Sequence, residues 1–220
     1  MKKNGILDVK YSLTQILYFA SYSALMGYAS VYLLDRGVSN SLIGTTLALV
    51  SIIAVFTQPM AASAADKKVI RLQPLIIVIL ALVVILSLGL YFFKLPTMIL
   101  LCVFVGVVTC MMTIQPLLNS LAFLFEKYGI EVNYGLARGL GSAAYALASA
   151  VLGYLVEDFG TSMIPLFYII GNILLIVVVY TYVVPKNQRH VVHREENQHE
   201  EVKQEQLSFF QFCSIYKKFM

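Results

Sequence analysis

The sequence predicts an all-α membrane protein with six transmembrane helices. Apolar runs of about 20 residues recur along most of the chain, and about 20 is what one helical crossing of a bilayer needs. Hydrophobic residues make up 59% of the 220 residues and charged residues only 13%, roughly half the charge of a soluble domain. The cations are also sorted: fourteen Lys and Arg fall in alternate segments between the runs, and two fall in the others. Helices suit this composition because each satisfies its own backbone hydrogen bonds without water.

Residues 1–10 form a polar leader carrying Lys2, Lys3 and Lys10. The first crossing spans about residues 11–34. Ser12, Thr14, Gln15, Ser21, Tyr22, Ser23 and Ser30 make it more polar than a lipid-facing helix, so one face is expected to meet a cavity or another helix. Asp35-Arg36-Gly37 is a turn. The second crossing, 41–65, contains Gln58-Pro59; the proline frees a carbonyl that neighbours must satisfy. The third, 74–93, ends at the turn Lys94-Leu95-Pro96. The fourth, 97–125, holds Gln115-Pro116, Asn119 and Ser120 at membrane depth. The fifth opens at Tyr134 and ends at Glu157-Asp158-Phe159-Gly160. The sixth, 162–184, stops at Pro185 and completes a bundle over 11–184.

Residues 185–206 are rich in charge, Gln, Asn and His, have little to bury, and read as a flexible cytoplasmic loop. Residues 207–220 are apolar again, with Phe209, Phe210 and Phe212, and read as an amphipathic segment leading toward a seventh helix. The first three helices and the next three are expected to form a 3+3 inverted repeat. Positive charge stays cytoplasmic, so both ends are expected inside.

Several classes are excluded. The net charge of +4 is spread over alternating loops, so nucleic acid is not an expected partner. Three cysteines without a Cys-x-x-Cys give no disulfide or zinc framework. His190, His193 and His199 all lie in the polar tail, where nothing fixes a metal geometry. No nucleotide-binding, metalloprotease or serine-hydrolase motif is present. The chain is therefore expected to be no enzyme, with no catalytic residue, metal or cofactor.

The fifth helix carries the candidate site. Arg138 sits about one turn inside it. A cation in hydrocarbon costs about 3 kcal/mol on insertion scales, so it either faces a wet cavity or snorkels to the headgroups. Gly135, Gly139 and Ala143, with Ser142, Ala146 and Ala150, leave room for another helix to approach. Gln115 and Asn119 lie on the fourth helix, joined to the fifth by a short loop that makes the two antiparallel neighbours. Carboxamides donate and accept, and a guanidinium donates in a rigid fork. With the aromatic face of Tyr145, they suit a neutral, hydroxyl-rich ligand. Equally, the two amides could be interhelical glue. Asp66 with Lys67, Lys68 and Arg71 is either a latch between helix ends or a loop whose cations set topology.

The segment Tyr134-Gly135-Leu136-Ala137-Arg138-Gly139-Leu140-Gly141-Ser142 resembles helix five of the oligosaccharide–proton symporters, the lactose permease-like branch of the major facilitator superfamily. Gln58-Pro59 followed by Asp66-Lys67 resembles the end of helix two and the signature loop of that superfamily, and Met26-Gly27 matches in helix one. Pro116 followed by Asn119 lies where the family has a proline followed by a glutamate. The resemblance covers nearly the whole chain. It implies the N-terminal half of a proton-coupled transporter for a sugar or related small polar solute, in a plasma membrane such as the bacterial inner membrane, working by alternating access with a missing C-terminal six-helix half. It implies that Arg138 donates to substrate hydroxyls, that Tyr145 stacks on the solute, that Met26 touches it, and that Asp66 and Arg71 belong to a cytoplasmic gate. Asn119 in place of the sugar-binding glutamate removes the charged pair with Arg138. Ala62 and Val69 stand where the signature loop has glycines. Two alternatives stay open: a nucleoside or aromatic acid as the solute, and a non-transporting six-helix scaffold or truncated product.

Overall fold

Backbone polar groups find no water in hydrocarbon, and the chain answers with helices nearly throughout. The computed structural model describes residues 2–3, 5–66, 72–127 and 130–182. Helix α1 covers Gly5–Tyr22, a π-helical turn covers Ser23–Gly27, and α2 covers Ala29–Asp35. They are followed by α3 (Asn40–Asp66), α4 (Leu72–Phe92), α5 (Thr97–Lys127), α6 (Tyr134–Phe159) and α7 (Met163–Tyr180). Two residues at each of two places, Lys2–Lys3 (β1) and Ile130–Glu131 (β2), pair as a short parallel ribbon. Helices α3 to α7 are each long and apolar enough to cross a bilayer. The stretch Gly5–Gly27 and α2 meet at 45°, and counted as one bent span they bring the number to six.

The first crossing departs from the single helix over 11–34 that the sequence predicts. It starts at Gly5, inside the expected leader, because the leader's polar groups have uses. Asp8 Oδ1 accepts from the Asn133 N–H at 2.9 Å, and Lys10 Nζ donates to the Thr181 carbonyl at 3.0 Å. It then breaks at the π turn, a common cause of a sharp bend. Tyr28, just beyond, has φ −106° and ψ 13°, outside helical geometry. The segments expected over 185–206 and 207–220 lie outside the described residues.

The extensively packed long-helix pairs are α1 with α6, α1 with α7, α3 with α5, α4 with α5, and α4 with α7. Exchanging the first three spans for the last three maps this set onto itself. The α1–α6 pair becomes α5–α3, α1–α7 becomes α5–α4, and α4–α7 is its own image. That is the packing signature of a 3+3 repeat.

The bundle is apolar outside and partly polar inside. Ile52, Val55, Phe56, Ile85, Leu147 and Val177 are exposed, as lipid-facing residues are, while Thr14, Gln15, Ser21, Ser87 and Asn172 are buried. Helix ends are closed by named groups. Gly37, at φ +78°, ends α2: its N–H donates to the Leu34 carbonyl and the Val38 N–H to the Leu33 carbonyl, a Schellman motif. Asn133 caps α6, its side chain accepting from the Leu136 N–H at 3.1 Å. Gln73 Nε2 donates to the carbonyls of Val179, Tyr180 and Tyr182 at 2.9, 3.2 and 3.1 Å and so satisfies the end of α7. The Tyr182 hydroxyl lies 2.8 Å from Thr14 Oγ1. Burial pushes the Tyr182 phenol up to about 12, although its bond to Thr14 pulls the other way.

Candidate functional site

Spacing on α1 decides what it offers its neighbours. Tyr11, Gln15, Tyr18 and Tyr22 recur at four, three and four residues, which puts them on one helical face. Gln15 Nε2 donates to the Tyr11 hydroxyl at 2.8 Å, which donates to the Leu118 carbonyl at 3.3 Å. The Tyr18 hydroxyl donates to the Met111 carbonyl at 2.9 Å, next to Met112, whose carbonyl has no helical donor because residue 116 is a proline. Tyr22 stacks on Tyr18 with centroids 5.9 Å apart and tilts against Tyr145 at 6.4 Å.

Helix α6 presses on this side of α1 through Gly141. A Cβ there would stand 2.6 Å from Phe19 Cδ2 and 3.3 Å from the Gln15 carbonyl oxygen. One turn earlier, the Arg138 guanidinium lies over the Phe19 ring, 4.7 Å from its centroid, in cation–π geometry. From α5, the Gln115 carboxamide turns its oxygen to Arg138 and accepts from Nη1 and Nη2, the second at 3.0 Å. Asn119, one turn along α5, has a buried Oδ1 with no hydrogen-bond partner among the described residues.

These groups enclose a cavity of about 290 Å³. Its walls are Tyr18 and Tyr22 from α1, Gln58 from α3, Met112, Gln115 and Asn119 from α5, and Arg138 from α6. Every lining atom set except the Met112 thioether ends in a donor or acceptor, so the hollow suits a polar guest.

The structure brings Arg138, Gln115 and Asn119 together across the hollow, but not as expected: α5 and α6 do not pack as neighbours despite their short loop, because α6 packs on α1 and α5 on α3 and α4. Tyr145 stands behind Tyr22, its hydroxyl near Gly27. Ser142 is exposed, and its hydroxyl donates to the Arg138 carbonyl at 3.3 Å, one turn back on its own helix. Met26 lies in the π turn and is not among the lining residues. Asp66 is the last residue of α3, and Arg71 lies outside the described residues. The side of α6 that packs is Ala137, Gly141, Ala148 and Leu152; a Cβ at Gly135 or Gly139 would meet nothing within 4 Å. Tyr18, Phe19 and Met112 join the site without having been named from sequence, whereas Tyr22 was named only as one of the polar residues of the first crossing and Gln58 only as part of the Gln58-Pro59 pair. The periodic face of α1 was the signal for the two tyrosines.

A second, wider hollow of about 380 Å³ lies toward the other end of α6, bordered by Tyr28, Ser149, Gly153, Tyr154 and Glu157. There the Tyr28 hydroxyl donates to the Ser149 carbonyl at 2.7 Å. Among the described residues, no group of three or more His, Cys, Asp and Glu could hold a metal ion. His190, His193 and His199 lie outside them.

Comparison with curated proteins and with solved structures finds no significant match. A family model described as the MFS_1 like family matches residues 9–218, nearly the full length of the chain. With six apolar spans and a repeat-symmetric packing already in view, that match assigns it: the chain belongs to the MFS_1 like family, a family of membrane transporters.

Proposed function

We propose that this bundle is the N-terminal half of a proton-coupled secondary transporter for a small, hydroxyl-bearing polar solute, such as a sugar, working by alternating access in a plasma membrane with both ends cytoplasmic. One observation carries the reading: Arg138, Gln115 and the buried Asn119 Oδ1, unpartnered among the described residues, converge on one hollow between four helices. An arginine spent only on snorkelling would need neither an amide partner nor an aromatic platform. Buried acceptors such as Asn119 Oδ1 cost stability unless something donates to them, and a solute hydroxyl is a fitting donor.

The hollow is walled by α1, α3, α5 and α6, and a second six-helix unit would close its open side. Rocking of the two units about it would present the solute to each face of the membrane in turn. The lining contains neither a carboxylate nor a histidine, so the proton-carrying group would belong to that second unit. Asp66 and Arg71 would act at the cytoplasmic gate, and Ser142 and Met26 would approach the solute only when the units close. The test is binding to the purified chain in lipid nanodiscs, with sugars, nucleosides and aromatic acids as probes. Saturable binding of one class, lost in Arg138→Gln, is expected. Binding of none, or binding indifferent to that substitution, would favour a non-transporting scaffold.

A further inference from the structure

Resting on the solute function proposed above, we infer that the solute is an anion: a small hydroxylated carboxylate, such as a sugar acid or a phenolic acid. The inventory of charge in the hollow points there. Of its seven lining residues, Arg138 alone carries a formal charge; the rest are phenols, amides and a thioether. Acidic residues of the described bundle sit at helix ends. Asp66 lies eight residues past Gln58 on α3, about 12 Å along the axis, and Glu126 lies seven past Asn119 on α5, about 10 Å. Neither position is on the cavity wall.

A guanidinium in that setting has two partial substitutes for a counter-charge, the Gln115 oxygen and the Phe19 ring face. Both are dipolar. A neutral guest that displaces water from the hollow leaves the cation without a counter-ion, which is costly. A carboxylate supplies it. Gln115 accepts from both terminal nitrogens, and each keeps one further N–H, with the Nε hydrogen beside them, for a bidentate carboxylate. The Asn119 Oδ1 then takes a hydroxyl hydrogen from the same solute. The stacked pair Tyr18–Tyr22 offers its faces to the solute's carbon skeleton.

Calorimetric titration of the full chain in nanodiscs of uncharged lipid tests this with matched pairs that differ by the carboxylate: glucuronate with glucose, and 4-hydroxybenzoate with 4-hydroxybenzyl alcohol. In at least one pair the acid binds about tenfold tighter or more, as a charge-assisted bidentate bond gives. That margin collapses in Arg138→Gln. It also collapses in Asn119→Asp, where an added carboxylate neutralises the guanidinium and the neutral partner gains ground. Circular dichroism and gel-filtration elution establish folding. If Arg138→Gln does not fold, Arg138→Lys, which keeps the charge and loses the fork, shrinks the margin several-fold. Equal affinity for acid and neutral partner, both lost on changing Arg138, overturns the anion inference and leaves the solute cavity standing. Binding of no probe, or binding that ignores Arg138, overturns both.

Discussion

Helix α1 has two polar flanks, and they differ in one respect. Toward α7, the contacts are closed: Lys10 reaches the Thr181 carbonyl, Thr14 meets the Tyr182 hydroxyl, and Ser21 lies directly against Gly171. Toward α6 and α5, Tyr18 and Tyr22 border an open hollow. Buried oxygens without partners among the described residues occur outside the hollow as well as in it: Ser21 Oγ on α1 and Asn172 Oδ1 on α7, against Asn119 Oδ1 at the cavity. An orphaned acceptor is costly anywhere. Only where space adjoins it can a guest repair the deficit. Polar content inside a membrane bundle therefore does not mark a site; polar content beside a void does.

Substitutions on either flank test the contrast. The largest effect is expected from Arg138→Gln on the open side. Solute affinity falls about a hundredfold, on the order of 3 kcal/mol for charged hydrogen bonds, by calorimetric titration. Thermal unfolding in detergent moves little, because the cost of the intramembrane cation leaves with the charge. Gly141→Ala comes next. Its methyl lands on Phe19, so unfolding should lose about 1–3 kcal/mol to overpacking, and affinity should drop as the guanidinium loses its platform. Gly171→Ala on the closed side drives a methyl into Ser21 at a similar cost of about 1–3 kcal/mol, with affinity unchanged. A weaker solute grip in Gly171→Ala would mean the flanks are not separate. Thr14→Val is the smallest: roughly 0.5–1 kcal/mol, the usual worth of a hydrogen bond between membrane helices, read as a lower denaturation midpoint. No change would show the hydroxyl pair to be idle.

Much of this was legible in the residues. Long apolar runs declare spans because bilayer thickness fixes their length. The short loop between α5 and α6 was a poorer guide: the two helices do not pack on each other, and Gln115, Asn119 and Arg138 meet across the hollow because α6 packs on α1 while α5 packs on α3 and α4. Aromatic residues were harder. In an apolar helix Tyr18 and Phe19 have no contrast with their surroundings, and only the recurrence of Tyr11, Gln15, Tyr18 and Tyr22 sets one face apart. Small residues on α6 line more than one side of the helix, so sequence could not say that Gly141 packs while Gly135 and Gly139 stay open. The break in the first span was hidden for another reason. Its partners, the Ser149 and Leu90 carbonyls that Tyr28 and Tyr32 reach, lie far away in the chain.

The π turn at Ser23–Gly27 also sets the rotational phase of everything after it. Such a turn holds more residues than an α turn, and each residue of an α-helix advances about 100°. Deleting one residue there would restore an unbroken helix and swing Tyr28 and Tyr32 about a quarter-turn or more off their carbonyls. The chain thus uses an apparent irregularity as a clocking device, aligning two stretches of a single crossing with different neighbours: Tyr18 and Tyr22 with the hollow, Tyr32 with Leu90 of α4.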